Sequence, residues 1–259
     1  MKDLSVRVTY IGGPTALIEW GGFRLLTDPT FDPAGESYAT SVYTLHKTIG
    51  PALAASAIGT LDAVLLSHDH HYDNLDRAGH AMLGQAHTVL TTVAGAERLG
   101  GNAVGLPQWA RHELRGASDT VLRVTATPAR HGPEAGDRGP VIGFALERDG
   151  EQGAVYFSGD TVWYEGVREV AGRFAVRVAL LNCGAARVKA AGPANLTFTA
   201  AEAVEAARAF RGAAIVPLHY EGWEHFTESR ADLERAFERA ALSERLRFLT
   251  PGVPTTISP

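Results

Sequence analysis

A recurring arrangement constrains this sequence most: clusters of His, Asp and other polar residues stand directly after short apolar runs that predict buried strands. Loops at strand ends lie side by side along a sheet edge, where a rigid scaffold positions their side chains. We therefore expect histidines and aspartates from five strand ends to form one common site. The clusters are Asp28, His68 to Asp76, Arg130-His131, Ser158-Gly159-Asp160 and His219-Tyr220-Glu221.

The order of the predicted elements indicates the fold class. Three strands come first, over residues 4–11, 15–20 and 23–27, and Gly21-Gly22 between the last two is a hairpin signal. Strands then mix with helices, which we predict over 76–84, 94–99, 199–210 and 229–242, before a last strand over 246–249. This order predicts one α/β domain over residues 1–259, with sheet packed on sheet and helices on both outer faces.

Composition narrows the class of protein. Apolar residues make up 45% and charged residues 20%, as in ordinary globular proteins. The net charge of −5 argues against a nucleic-acid partner, and no run approaches the roughly 18 apolar residues of a membrane span. The single cysteine excludes a disulfide framework and a cysteine-built zinc site. With no signal segment at the N-terminus, we expect a cytoplasmic protein with a small-molecule substrate, and leave a homo-oligomer open.

The side chains of the expected site favour metal chemistry. Imidazole and carboxylate together suit Zn, Fe and Mn. Two metals about 3.5–4 Å apart need about three to four ligands each and a shared bridge, which the clusters can supply. We expect one or two divalent ions, zinc first and Mn or Fe as alternatives.

With these motifs in this order, the chain resembles the metallo-β-lactamase fold superfamily. Residues 25–31, Leu-Leu-Thr-Asp-Pro-Thr-Phe, are similar to the L-T-D-P-x-F of the branch that contains ascorbate-6-phosphate lactonase and N-acylphosphatidylethanolamine phospholipase D. The resemblance implies an αββα four-layer sandwich. It also implies metal-dependent hydrolysis of an ester, lactone, phosphodiester or amide of a small molecule.

The second motif fits the superfamily pattern H-x-H-x-D-H in two ways. In the register that we prefer, which needs no insertion, Asp69 and His71 take the places of the first two histidines and Asn74 replaces the last. The other register pairs His68 with His70 and needs one bulged residue. The preferred register implies these ligands: Asp69, His71 and His131 for the first ion, Asp73 and His219 for the second, and Asp160 between them.

Further roles follow from the resemblance and from the local sequence. Asp73 is the predicted catalytic residue, which orients the attacking water or protonates the leaving group. Asp28 is expected to support a ligand by hydrogen bonding, and Asn74 to make the second site weaker or selective for a harder metal. Asp76 is expected to cap a helix. Aromatic residues near the motifs predict substrate-pocket walls, namely Trp163, Tyr220 and Trp223, and irregular residues 29–60 predict a wall or lid.

Two other classes of function stay open at this point. A binding or sensor protein that has lost hydrolysis is favoured by Asn74 and the irregular second motif, and opposed by the retained His131, Asp160 and His219. A redox-active di-iron protein is the third interpretation. Metal content separates the hydrolase from the binding or sensor protein, because a protein that has lost the centre would hold no metal.

Overall fold

The computed structural model describes residues 2–117, 120–135 and 138–258. The larger sheet has seven strands, in this order: β17 (Thr255–Ile257), β2 (Val6–Gly12), β3 (Thr15–Trp20), β4 (Phe23–Thr27), β7 (Leu61–Leu65), β8 (Ala86–Thr91) and β9 (Ala103–Gly105). The first four are antiparallel neighbours, and β4, β7, β8 and β9 run parallel. The hairpin predicted at Gly21-Gly22 joins β3 to β4, with positive φ at both glycines.

A second sheet has six strands, in this order: β10 (Arg111–Arg115), β11 (Val121–Pro128), β12 (Ile142–Arg148), β14 (Ala154–Phe157), β15 (Val176–Asn182) and β16 (Ala214–Leu218). The strands are antiparallel from β10 to β14 and parallel from β14 to β16. Two small two-stranded sheets pair β1 (Lys2–Asp3) with β13 (Glu151–Gln152), and β5 (Ser37–Ala39) with β6 (Thr44–His46).

The two large sheets pack face to face. Their shared core contains Val8 and Leu65 from the seven-stranded sheet and Val124, Phe144 and Leu180 from the six-stranded sheet. Each of these side chains is fully buried. Because the outer face of each sheet is also covered by helices, the predicted αββα sandwich is confirmed.

In the part of the chain that the structure describes, five α-helices cover the outer faces: α1 (Arg77–Met82), α2 (Val93–Leu99), α3 (Glu165–Arg173), α4 (Ala200–Ala209) and α5 (Arg230–Arg239). Met82 of α1 packs on the seven-stranded sheet, and α3, α4 and α5 pack on the six-stranded sheet. Asp76 and Thr199 cap α1 and α4 as predicted, and Thr199 forms the capping box with Glu202. Short 3-10 helices occupy Ala55–Ala57, Leu83–Gln85, Lys189–Ala191 and Ser243–Arg245. In the described ranges, no helix combines the length and apolarity needed to cross a bilayer.

Two predictions about elements need correction. The strand predicted over residues 246–249 is wrong, since Leu246 makes only an isolated bridge to Ile215. Helix α3 was not predicted, because its short, mainly polar sequence follows Trp163-Tyr164 without a capping side chain. The irregular segment 29–60 contains the β5–β6 hairpin, whose Tyr38 and Leu45 pack against Trp223 and Leu196 beside the strand ends that carry the predicted site.

Candidate metal centre

The structure brings the predicted strand ends to one place between the two sheets. His68 follows β7 of the seven-stranded sheet, while His131, Asp160 and His219 follow β11, β14 and β16 of the six-stranded sheet. Among the described residues, three overlapping sets of side chains form, and within each set the ligand atoms lie within 4.8 Å of one another. The sets are His68, His70 and His71; His68, His131 and Asp160; and Asp73, Asp160 and His219.

Three imidazole nitrogens face one another at the centre. The Nδ1 atom of His71 lies 3.0 Å from His68 Nε2 and 3.2 Å from His131 Nε2. The Oδ2 atom of Asp160 lies 3.6 Å from the same His131 nitrogen. Lone pairs that converge in this way need a shared cation or a proton between them, so the geometry fits a divalent ion.

A buried hydrogen-bond chain sets the tautomer of His68. The Ser67 hydroxyl donates to Asp28 Oδ2 at 2.7 Å, so the Ser67 oxygen is left to accept from His68 Nδ1–H at 2.8 Å. The Nε2 atom of His68 therefore carries a lone pair toward the cluster. Asp28 also accepts from the backbone N–H of Ser67 and from Asn74 Nδ2. Asp28 therefore supports His68 through Ser67, and it also holds Asn74 in place.

His131 and Asp160 are held in a similar way. His131 Nδ1–H donates to the carbonyl of Leu196 at 2.8 Å, which leaves its Nε2 lone pair facing the cluster. Asn182 Nδ2 donates to Asp160 Oδ1 at 2.7 Å, and Asp160 Oδ2 is buried with no hydrogen-bond partner among the described residues. One oxygen of this carboxylate is therefore fixed and the other is free to bind a cation.

Gly159 makes the turn that carries Asp160. Its φ is 57°, and a Cβ atom added there would lie 2.6 Å from Ser67 Cβ and 2.7 Å from the Ile142 carbonyl oxygen. Only glycine fits this turn, because a side chain would collide with the loop that bears His68.

The second set of donors surrounds Asp73. The Nε2 atom of His219 lies 3.4 Å from Asp73 Oδ2 and 3.8 Å from Asp160 Oδ2, and neither nitrogen of His219 has hydrogen-bond geometry with any described residue. His219 is fully buried and has a positive φ of 53°, a strained conformation that recurs at functional sites. On its other side, Asp73 Oδ2 accepts a 3.0 Å hydrogen bond from His225 Nε2.

The protonation states suit these roles. Burial, reinforced by the neighbouring His131, lowers the pKa of His71 to about 2, and burial lowers the pKa values of His68 and His131 as well. Burial alone would raise the pKa of Asp73, but the adjacent His219 imidazole and the hydrogen bond from His225 hold it well below its usual range. Near neutral pH the first set therefore presents neutral imidazoles beside an ionised Asp73, the forms that bind cations. Asp160 and Asp73 outweigh burial at His219 and raise its pKa, so this imidazole binds a cation only after it gives up its proton.

Asp69 belongs to none of the three sets, and His70, which belongs to one of them, uses Nε2 in another contact. Both oxygens of Asp69 bond to the Arg98 guanidinium, with Nε at 2.7 Å. His70 is exposed, and its Nε2 donates to the carbonyl of Arg138 at 2.7 Å. The observed arrangement joins His68 with His71, so it combines one histidine from each of the two registers.

The predicted pocket residues lie around the centre rather than in it. Tyr220 is buried against Tyr10 and Phe248, and Trp163 packs with the helices of the six-stranded sheet. Trp223 lies behind the cleft, in contact with Tyr38. The cleft itself is lined by His71, Asp73 and His131 together with Tyr43, Leu45, Arg138, Ala186, Val188, Leu196 and His225.

Several residues of this cleft were not among the predicted site residues. His225 stands six positions after His219, among aromatic residues that were interpreted only as packing or pocket walls. Ser67, which lies behind the cleft, follows β7, and Asn182 ends β15; the end of a buried strand, where the predicted ligands also stand, was the available signal for both. Nothing in the sequence around Tyr43 or Arg138 indicates that either reaches the centre.

The fold and the donor set together define a class of protein, an αββα sandwich with a His/Asp centre between its sheets. A profile of the β-lactamase superfamily domain matches residues 23–220. The chain belongs to this superfamily, as its motifs predicted.

Relatives and solved structures agree with this assignment. A metal-dependent hydrolase of Pelotomaculum thermopropionicum is 28% identical over 261 residues, covering 95% of this chain and 98% of the relative. The crystal structure of an isothiocyanate hydrolase from Delia radicum gut bacteria superposes with a TM-score of 0.82 at 20% identity, over 98% of this chain and all of that one. A possible metal-dependent hydrolase from Veillonella parvula gives 0.83 at 18% identity, with the same coverage. At these identities the structures show the fold, and the name of the relative agrees with the enzyme class predicted from the sequence.

Proposed function

We propose that the protein is a metal-dependent hydrolase that cleaves an ester, lactone, phosphodiester or amide of a small molecule through an activated water. The observation that carries the proposal is the converging donor set. Asp160 Oδ2 and His219 Nε2 are buried without hydrogen-bond partners among the described residues, at the point where the other donors meet. Burying such polar atoms without partners is costly, and a bound cation removes that cost.

We assign His68, His71 and His131 to one ion and Asp73 and His219 to a second, with the free oxygen of Asp160 facing both. This assignment replaces Asp69 of the preferred register by His68, because Asp69 is bonded to Arg98 and His68 Nε2 faces the other nitrogens. Asn74 donates to Asp28, and its Oδ1 is buried without a partner in the described part of the chain. An amide oxygen in place of imidazole supports a weaker second site.

When bound, a divalent ion at this centre supplies Lewis acidity and makes hydroxide available near neutral pH. The chain contributes the orientation of the attacking water. His225 and His219 flank Asp73 Oδ2, so this carboxylate stays ionised and fixed toward the cleft, where it can accept a hydrogen bond from the attacking water and orient it. Leu45, Val188 and Leu196 form an apolar wall beside it that excludes bulk water.

The test begins with elemental analysis of the purified protein, followed by a panel of chromogenic esters, lactones, phosphodiesters and amides. We expect about one to two equivalents of divalent metal and turnover of at least one class. His131→Ala should lose both metal and activity. His87→Ala is the matched control and should lose neither, since His87 is exposed at the start of β8, at the sheet edge opposite the centre.

Two outcomes would contradict the proposal. Full metal content in His131→Ala would remove that residue from the centre. Purified protein without bound metal and without turnover of any panel class would favour the binding or sensor protein.

A further inference from the structure

The cleft beside the metal centre is lined by one arginine, Arg138, that has no carboxylate partner among the described residues. Arg138 lines the cleft together with His71, Asp73 and His131. Its Nε atom is buried with no hydrogen-bond partner among the described residues, and no carboxylate in the described ranges lies within ion-pair distance of its guanidinium. The Arg138 side chain is half-buried, and its unpartnered Nε–H is a donor shielded from water that an oxyanion can occupy.

The backbone of Arg138 is fixed by the metal-binding motifs themselves. Its N–H donates to the His131 carbonyl at 2.9 Å, and its own carbonyl accepts from His70 Nε2 at 2.7 Å. These two hydrogen bonds fix the backbone of Arg138 beside the centre, and from there its side chain lines the cleft. This also gives His70 a function other than metal ligation.

Tyr43 adds a second donor beside Arg138. The Tyr43 hydroxyl accepts from Arg138 Nη2 at 3.3 Å, and the guanidinium lies over the Tyr43 ring at 5.4 Å. Because the hydroxyl oxygen is used as an acceptor, its hydrogen is free to donate into the cleft. The same cleft is lined by Leu45, Val188 and Leu196, whose side chains offer only apolar contacts to a bound molecule.

We propose that Arg138 and Tyr43 form a binding subsite for an anion, so that the substrate is a small ester-type molecule with a terminal carboxylate or phosphate. The proposal rests on the hydrolase function proposed above and names its substrate class. The guanidinium fork matches the planar oxygens of such an anion. The two negative charges of Asp73 and Asp160 are already exceeded by the two divalent ions assigned above, so neither carboxylate is left to neutralise Arg138.

Three matched para-nitrophenyl esters test the proposal: the valerate, whose acyl chain ends in a methyl group, the hemiglutarate, which ends in a carboxylate, and the phosphonobutyrate, which ends in a phosphonate. The wild type should hydrolyse at least one anionic ester with a higher kcat/KM than the valerate. The anionic ester with the higher kcat/KM shows whether the subsite prefers a carboxylate or a phosphonate. In Arg138→Gln the ratio of anionic to neutral kcat/KM should fall on the order of tenfold to a hundredfold, mainly through KM. Arg138→Lys should restore part of the ratio, because it keeps the charge and loses the fork.

Arg208→Gln is the control for net charge. Arg208 is an exposed residue of α4 that pairs with Glu205, and its loss should leave the ratio unchanged. If Arg138→Gln does not fold, the wild-type ratio and Tyr43→Phe still decide the question. A wild type that does not prefer either anionic ester would overturn the subsite.

Calorimetric titration with glutarate and with its neutral diamide separates this proposal from the hydrolase function. Tighter binding of glutarate to the wild type than to Arg138→Gln, with no ester turned over, would support the subsite and refute hydrolysis. Turnover with the same ester ratio and the same glutarate affinity in both proteins would refute the subsite and leave hydrolysis standing.

Discussion

His68 and His70 are two positions apart and lie in opposite environments. His68 is fully buried and its Nδ1–H is held by the Ser67 hydroxyl, whereas His70 is exposed and bonds to the backbone of Arg138. His68→Ala should therefore lower zinc affinity by more than the roughly 10–100-fold that the loss of an outer hydrogen-bond partner costs. His70→Ala should keep its metal. Zinc titration of the metal-free proteins measures both, and the opposite order would contradict the assignment of His68 as a ligand.

Asp28 positions His68 indirectly, through the hydroxyl of Ser67. Asp28→Asn keeps the side-chain shape but turns one acceptor into a donor, which opposes one of the donors that now reach it, Ser67 N–H, the Ser67 hydroxyl or Asn74 Nδ2. We expect zinc affinity to fall about 10–100-fold in a protein that still folds. Ser67→Ala should also lower zinc affinity, since it removes the hydroxyl that accepts from His68 Nδ1–H. Unchanged zinc affinity in both variants would show that this chain does not position His68.

Among the elements, α1 is joined to the irregular segment 29–60 by buried carboxylates: Asp32 of the segment accepts from the N–H groups of Arg77 and Ala78, and Asp76 reaches back to the segment. Asp76 is fully buried and accepts from Phe31 N, Asp32 N and Gly79 N, and it forms a 2.8 Å ion pair with the nearly buried Lys47. The predicted helix cap is therefore also the anchor of the segment that carries Tyr43. No local pattern shows this second role, because the partners lie 29 to 45 residues away in sequence.

Removing this anchor should cost far more than removing a helix cap. Asp76→Ala leaves the Lys47 ammonium buried without its partner, so we expect a loss of about 3–5 kcal/mol in the free energy of unfolding. Lys47→Met should cost less, because Asp76 keeps its three backbone donors. Thr199→Ala, which removes only a cap, should cost about 1 kcal/mol. Urea unfolding measures all three, and equal losses for Asp76→Ala and Thr199→Ala would contradict the anchoring role.

The sequence predicted the elements whose signals are local. Apolar runs located most strands of both large sheets, and Thr199 with Glu202 located the start of α4. The pairing inside the second motif was not predictable, because it depends on the hydrogen bond from Ser67 to Asp28, 39 residues apart in sequence. Arg138 was missed for the same reason, since its place in the cleft is set by contacts with His70 and His131.

At the scale of the whole molecule, the proposed centre joins the two sheets. His68 and His71 belong to the loop after the seven-stranded sheet, whereas His131, Asp160 and His219 follow strands of the six-stranded sheet. A bound ion would therefore add a link across the interface between the sheets. Such a link stabilises the native state alone, because an unfolded chain does not hold these ligands together.

Chelation should thus lower the melting temperature of the entire domain. An ion present at 100 times its dissociation constant contributes about 2.7 kcal/mol, which for a chain of this size corresponds to a loss of about 5–10 °C on treatment with EDTA. Re-addition of zinc should restore the melting temperature. In His131→Ala the difference between treated and untreated protein should largely vanish, because that variant has no ion to lose, whereas His87→Ala should behave as the wild type. Calorimetric scans decide the matter: an EDTA effect of equal size in His131→Ala would mean that the stabilising ion is bound elsewhere.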